Sequence, residues 1–435
     1  MSDNNSGVAR TRLLKLFDEA SFSEIDAFAK SADGEIEAVA GFGTVNGIPV
    51  YAFSQEPEVS GGAISVAQCA KIKKIYALAT KTGCPVVGIY DSNGVKLSEG
   101  FEALTAYGEV VKASSAVSGV VPQISIIAGA CLGTSALVAN MADVVIAVEN
   151  ADFYVTVPSE ITAEDSAEQG TVDLLTSDFE DAAEKARDII SLLPSNNLDF
   201  PPIFDCGELS SSDISQLKGI DFINALATNV VEFKKDYAEN AVTALGVIGG
   251  MPAGFVAFCG NPLCPSCIYK AETFVKLCDA FNLPLITVVD TNGLAREKEN
   301  QMLVAATKLT SAYASATCPK ISLITGNAVG AAYIILAGRG SNADLVYAWD
   351  CAAASPLETE SAVAFLFSER LANGENRADL EKEYRETLAS PFTAAASGAI
   401  DDVFVPDETA AKLISALNIL IGKRETTIPR KHSVK

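Results

Sequence analysis

A chain of 435 residues with 55 acidic against 32 basic side chains, and a net charge of −23, has no basic face with which to neutralise phosphates and is read as outside the nucleic-acid-binding classes. Its hydrophobic fraction of 49% can fill two or three domain cores, but Gly, Asn or Pro interrupts every candidate membrane span, and Met1-Ser-Asp-Asn-Asn-Ser-Gly7 lacks a secretion signal's basic flank and apolar segment. The expectation is a cytoplasmic protein whose ten cysteines are mostly reduced core residues.

Residues 10–40 predict a helical lead-in, with Leu13, Leu14, Leu16 and Phe17 on its apolar face and Ser21-Phe-Ser-Glu24 as a capping box opening a second short helix. The pattern then changes to a hairpin over residues 43–53 around Asn46-Gly47. After Ser60-Gly-Gly-Ala63 comes a helix with Ile72, Ile75, Tyr76 and Ala79 on one face, and a strand over residues 86–90 that runs into Asp91-Ser-Asn-Gly94. A buried strand over residues 124–128 leads through Gly129-Ala-Cys-Leu-Gly133-Thr134, and residues 142–148 form another.

A Pro- and Asn-rich break over residues 193–202 precedes the same order of elements. Residues 246–257 repeat the hairpin, Phe274, Leu277, Cys278 and Phe281 share a helix face, and the strand over 285–289 enters Asp290-Thr-Asn-Gly293. The strand over 321–325 leads through Gly326-Asn-Ala-Val-Gly330-Ala331, and residues 343–349 close the copy. An offset of about 200 residues is too long for a solenoid repeat and marks two copies of one α/β domain.

A strand that turns on glycine into a helix leaves the first helical N–H groups unpaired and aimed at one point, where an oxyanion is stabilised. One such turn reads as simple packing; two at matching positions point to a ligand. Asp91 and Asp290 are expected to bond the backbone of their own turns. The sole histidine, His432, sits in the basic tail, which argues against a Ser–His–Asp or Cys–His machinery, and no Gly-Lys-Ser/Thr phosphate loop occurs. Cys259, Cys264 and Cys267, with Cys278 as a fourth, have spacing that leaves a metal site open as an alternative to drift in a small-residue loop.

Ser118-Gly-Val-Val-Pro-Gln-Ile-Ser125, Asp91-Ser-Asn-Gly94 with Glu99-Gly100, Leu192-Leu-Pro-Ser-Asn-Asn197, Lys270-Ala with Cys278-Asp-Ala-Phe-Asn282, Tyr347-Ala-Trp349 and Lys431-His432 together resemble the carboxyltransferase subunits of biotin-dependent acyl-CoA carboxylases, transcarboxylases and sodium-pumping decarboxylases. The resemblance implies an α/β tandem of two crotonase-type domains, over residues 1–205 on the acyl-CoA side and 206–435 on the biotin side, with an active site where the N-terminal half of one subunit meets the C-terminal half of another. It implies acyl-CoA contacts at Gly61, Gly62, Lys71, Asn93, Gly94 and Lys96, and oxyanion donors at Gly133 and Thr134 and at Ala331 and Ala332. Biotin would lie beside Gly330, Tyr333 and Ile334, the last position suggesting an acetyl or propionyl group. The implied reaction needs no histidine, because biotin accepts the α-proton once its carboxyl has left.

No Met-Lys-Met attachment sequence is present, so the implied biotin arrives on a carrier protein supplied by a biotin carboxylase or a membrane decarboxylase complex. The implied assembly is a dimer or a trimer of dimers. The chain departs from the family's pattern with Thr134 and Ala331 at usual glycines, Lys96 at a usual Arg, Asn292 at a usual Pro, and a short passage over residues 159–177. Two other readings stay open: a non-catalytic acyl-CoA-binding or assembly subunit, and a crotonase-like thioester hydrolase or isomerase using Glu or Asp.

Overall fold

The computed structural model describes residues 7–156, 159–206 and 213–425. The chain forms two compact units, one reaching to Pro202 and including Lys234–Tyr237, the other beginning at Ile203.

The first unit opens with helix α1 (Val8–Leu16), which buries Ala9, Leu13 and Leu16 and turns Leu14 outward, so the apolar face omits one of the four expected positions. The expected capping box starts no helix. Strand β1 (Ser23–Ile25) instead pairs antiparallel with β2 (Ala38–Val45), while the Ser21 hydroxyl donates to the Asp18 carbonyl and accepts the Thr44 N–H. The hairpin from β2 to β3 (Ile48–Gln55) turns on Asn46 and Gly47 with φ of 51° and 79°, the left-handed pair that a two-residue turn requires.

Helix α2 (Val66–Thr82) crosses to β4 (Val86–Ser92), α3 (Gly100–Val117) to β5 (Gln123–Leu132), and the short α4 (Thr134–Ala139) to β6 (Val144–Val148). β7 (Phe153–Tyr154), α5 (Ala163–Glu168), β8 (Leu174–Thr176) and α6 (Phe179–Leu192) complete the unit. The sheet order is β1-β2-β3-β4-β5-β6-β8, with β7 beside β5 and every pairing from β3 onward parallel. Phe53, on β3, packs edge-on against Tyr90, on β4, with ring centroids 5.5 Å apart in the core beneath α2.

The second unit repeats the plan. α7 (Gly219–Leu226), β9 (Thr228–Phe233), β10 (Ala241–Ile248) and β11 (Met251–Phe258) lead into α8 (Pro265–Ala280), β12 (Leu285–Thr291), α9 (Glu299–Ser315) and β13 (Lys320–Val329). β14 (Leu345–Trp349), β15 (Ala353–Ser355) and β16 (Asp402–Phe404) give the order β16-β14-β13-β12-β11-β10-β9, with β15 beside β13. Both strand sets end in the same way: β5 and β13, central in their sheets, each run into a glycine turn.

Candidate active site

The geometry of each turn begins one strand away. Pairing between β4 and β5 shifts register between Tyr90 and Ser92, and pairing between β12 and β13 shifts between Val289 and Thr291. An aspartate fills each gap. Asp91 Oδ2 accepts from Arg12 Nη2 at 2.8 Å, and the same guanidinium nitrogen donates to the Ala128 carbonyl. Asp290 Oδ1 accepts the Asn327 N–H at 3.0 Å, and its Oδ2 pairs with Lys218 Nζ at 2.7 Å. The facing residues, Gly129 and Gly326, must be glycine because a Cβ there would overlap the carboxylate. Both aspartates therefore hold a distant cation, and Asp290 also the neighbouring strand, whereas among the described residues neither carboxylate bonds its own turn as the sequence suggested. The turn bonds come from the next side chain: Ser92 Oγ accepts the Gly94 N–H at 3.1 Å, and Thr291 Oγ1 accepts that of Gly293 at 3.3 Å.

The strands end at Gly133 and Gly330, whose φ of 62° and 59° only glycine adopts readily. The Gly133 N–H donates to the Tyr154 carbonyl at 2.9 Å, and the Gly330 N–H to the Ser355 carbonyl at 2.8 Å. Gly133 is thus corrected from a donor to the residue that makes the turn. The amides that follow, Thr134 and Ser135 in the first unit and Ala331 and Ala332 in the second, are first-turn groups with no acceptor among the described residues. Aligning the two copies on their glycines would have found Ser135, the counterpart of Ala332. Ala332 is buried with helical φ and ψ of −62° and −39°, while Ala331 faces outward.

Four of the expected acyl-CoA contacts are gathered beside the first turn. The Asn93 N–H donates to the Gly61 carbonyl at 3.0 Å, Gly62 packs under Asp91, and Gly94 abuts the Leu132 carbonyl that precedes Gly133. The two lysines are not available. Lys71 is buried, with Nζ donating to the Ala38 carbonyl at 2.9 Å, and burial pulls its pKa down. Lys96 is buried against Glu37 at 2.7 Å and Asp33, which hold its pKa above the ordinary value. Carboxylates neutralise Lys96 and a backbone carbonyl takes the Lys71 amine, so in this structure both stand as structural groups and not as the expected ligand contacts.

In the second unit the Tyr333 hydroxyl donates to the Ala399 carbonyl at 3.1 Å, and Ile334 exposes 57% of its surface. A cavity of about 620 Å³ borders α4, with Leu137, Tyr154, Val155 and Ile161 among its walls. Among the described residues no three His, Cys, Asp or Glu side chains are placed to hold a metal: Cys264 caps α8 and Cys278 lies in the core. His432 lies outside the described residues.

Paired amides at the head of a helix hold negative charge on oxygen in a fixed place, which lowers the barrier of reactions that pass through an enolate or a tetrahedral oxyanion. A fold that offers this turn twice, once per sheet, fits an acyl-transfer class that polarises two carbonyl oxygens. The comparisons with known proteins agree. A profile of the carboxyl transferase domain matches residues 2–434. The methylmalonyl-CoA decarboxylase subunit alpha of Propionigenium modestum is 32% identical, over 98% of this chain and 92% of its own length. The methylmalonyl-CoA carboxyltransferase 12S subunit of Propionibacterium freudenreichii subsp. shermanii is 33% identical, over 98% and 90%. The crystal structure of the transcarboxylase 12S hexamer with methylmalonyl-CoA and methylmalonic acid bound matches with a TM-score of 0.91 at 30% identity, over 99% of this chain and 92% of that one. The chain belongs to the carboxyl transferase domain family, the biotin-dependent acyl-CoA carboxyltransferases built from two crotonase-like domains.

Proposed function

We propose that this chain moves a carboxyl group between biotin on a separate carrier protein and a short acyl-CoA, with methylmalonyl-CoA and propionyl-CoA as the favoured pair. The observation that carries this reading is the duplicated amide pair, each set behind a glycine whose own N–H is already spent. In the first unit the Thr134 and Ser135 amides hold the thioester oxygen, which gathers negative charge as the α-carbon gains or loses its carboxyl. The cavity beside α4 gives the substrate apolar walls. With Lys71 and Lys96 tied up inside the fold, recognition of the CoA thioester at this turn falls to the backbone around Gly61, Gly62, Asn93 and Gly94.

The second turn fits the ureido oxygen of biotin, since its two amides lack acceptors and carry only methyl side chains. Biotin supplies the carboxyl group that is transferred. Gly330 makes that turn, Tyr333 anchors it through Ala399, and the exposed Ile334 limits the size of the acyl group admitted.

The division of labour follows the duplication, with residues 1–205 for acyl-CoA and 206–435 for biotin. The partners are a biotin carboxyl carrier protein and either a biotin carboxylase or a membrane decarboxylase subunit, the latter giving a cytoplasmic protein its link to a membrane. Assembly as a dimer or trimer of dimers is supported by the hexamer named for transcarboxylase 12S. The test is release of CO2 from methylmalonyl-CoA by the purified chain, without ATP. Turnover should appear on adding biotin or a biotinylated carrier and vanish with avidin; turnover indifferent to avidin overturns the reading.

A further inference from the structure

The two units place the same loop against the same strand end, but arm it differently. In the first, the Ile64 N–H donates to the Gly94 carbonyl at 2.8 Å, and the next residue, Ser65, caps α2 by accepting the Gln68 N–H at 3.1 Å. In the second, the Leu263 N–H donates to the Gly293 carbonyl at 2.9 Å, and the next residue, Cys264, caps α8 by accepting the Cys267 N–H at 3.3 Å. A serine and a glutamine have become a pair of thiols whose sulfurs stand 2.9 Å apart.

We propose that Cys264 and Cys267 are a redox-active dithiol that exchanges with low-molecular-weight disulfides and forms an intramolecular disulfide. Three features separate this pair from the other cysteines. Cys264 is partly exposed at the first turn of a 16-residue helix, where an incoming disulfide can reach its sulfur, while Cys267 is buried directly behind it. The Cys-Pro-Ser-Cys spacing at a helix start is the arrangement used for dithiol exchange. Burial, and the bond to Cys264, push the Cys267 thiol up to about 12, so it waits as a thiol for the second step, with Lys270 one turn on favouring its ionised form.

The chemistry balances. The Cys264 thiolate attacks one sulfur of a disulfide RSSR, forms the mixed disulfide and expels RS−, which takes up a proton. Cys267 then loses its proton, attacks the Cys264 sulfur and expels a second RS−. Two electrons pass from the protein to RSSR, and two RSH are released.

The loop that would move is tied to β12, the strand beside the one that ends at Gly330, and to the residues that follow it. The Gly260 N–H donates to the Asp290 carbonyl at 2.7 Å, the Thr291 hydroxyl to the Asn261 carbonyl at 2.8 Å, and the Ala295 N–H to the Leu263 carbonyl at 2.9 Å. Oxidation takes Cys264 from its capping bond and pulls on this seam.

Incubation of the full chain in a series of glutathione to glutathione disulfide ratios, followed by alkylation and peptide mass analysis, tests the site without reference to turnover. One disulfide per chain should form, leaving the peptide containing Cys264 and Cys267 two hydrogens lighter and unalkylated. The Cys267→Ser protein should instead hold a glutathione adduct on Cys264. Cys264→Ser, which copies Ser65, should take up neither. Amides of residues 290–295 should exchange at least threefold differently between the oxidised and reduced forms, and identically in the double serine variant. Absence of the disulfide, its formation with another cysteine, an adduct on Cys267 in the Cys264→Ser protein, or exchange rates blind to oxidation would each overturn the proposal.

Discussion

Lys96 shows how a residue that reads as a ligand contact can belong wholly to the fold. Its Nζ meets Glu37 at 2.7 Å, and the Glu37 side chain is itself only 2% exposed. Removing one member of such a pair leaves the other charge buried and uncompensated. Lys96→Met should cost about 3 kcal/mol in chemical unfolding, while leaving the KM for acyl-CoA of the remaining folded enzyme unchanged. Nothing near Lys96 or Lys71 in the chain announces this burial, because Asp33 and Glu37 approach from the loop between β1 and β2 and Lys71 finds the Ala38 carbonyl on the sheet below. Asp143 carries a different signature. Its Oδ2 accepts the Gln123 N–H at 2.9 Å, yet burial lifts its pKa to about 7, with Asp173 adding to the rise. An acid whose folded pKa exceeds its unfolded value of 3.8 binds its proton more tightly when folded, so its contribution to stability falls as pH rises from about 4 to 7. Asp143→Asn keeps an acceptor for Gln123 and removes the charge. Its gain over wild type should be larger at pH 8 than at pH 5, by about 2 kcal/mol, in denaturant melts at both values.

At the scale of elements, the turn is built by a side chain on the adjacent strand. Asp290 occupies the register gap between β12 and β13, so Gly326 has no room for a methyl group. Gly326→Ala should destabilise the protein by about 1–3 kcal/mol through overpacking, and should lower turnover because the strand leading to Gly330 is displaced. Gly340→Ala, where a Cβ would meet nothing within 4 Å, is the matched control and should leave both unchanged. Strands and helices were legible here from periodicity alone: both hairpins, the apolar faces of α2 and α8, and the strands entering each aspartate lie where alternation and helical spacing put them. The ends were not. Ser21-Phe-Ser-Glu24 has the spacing of a capping box, but Ser23 pairs opposite Phe42 and the sheet edge prevails over the local signal. The partners of Asp91 and Asp290, namely Arg12 and Lys218, come from helix α1 and from the residue just before α7, which no local pattern links to those turns.

For the whole molecule, the duplication was the most informative property of the sequence, since it placed the second turn from the first and gave the pairing of Gly133 with Gly330. It also shows where reading by resemblance slipped: the Tyr154 carbonyl, brought beside Gly133 by β7, takes the amide that the first donor pair was expected to use. The central claim is that backbone amides at these turns, and not their side chains, stabilise the reacting oxygen. Turnover of Ala332→Pro and Thr134→Ala against wild type, with circular dichroism to establish that both are folded, tests it most directly. Ala332 already has φ near −62°, so proline fits the helix start while deleting the N–H. The account predicts a loss of about a hundredfold or more for Ala332→Pro, matching about 3 kcal/mol for one oxyanion donor, and near-normal turnover for Thr134→Ala. A folded Ala332→Pro enzyme with normal turnover, or a folded but inactive Thr134→Ala enzyme, would contradict it.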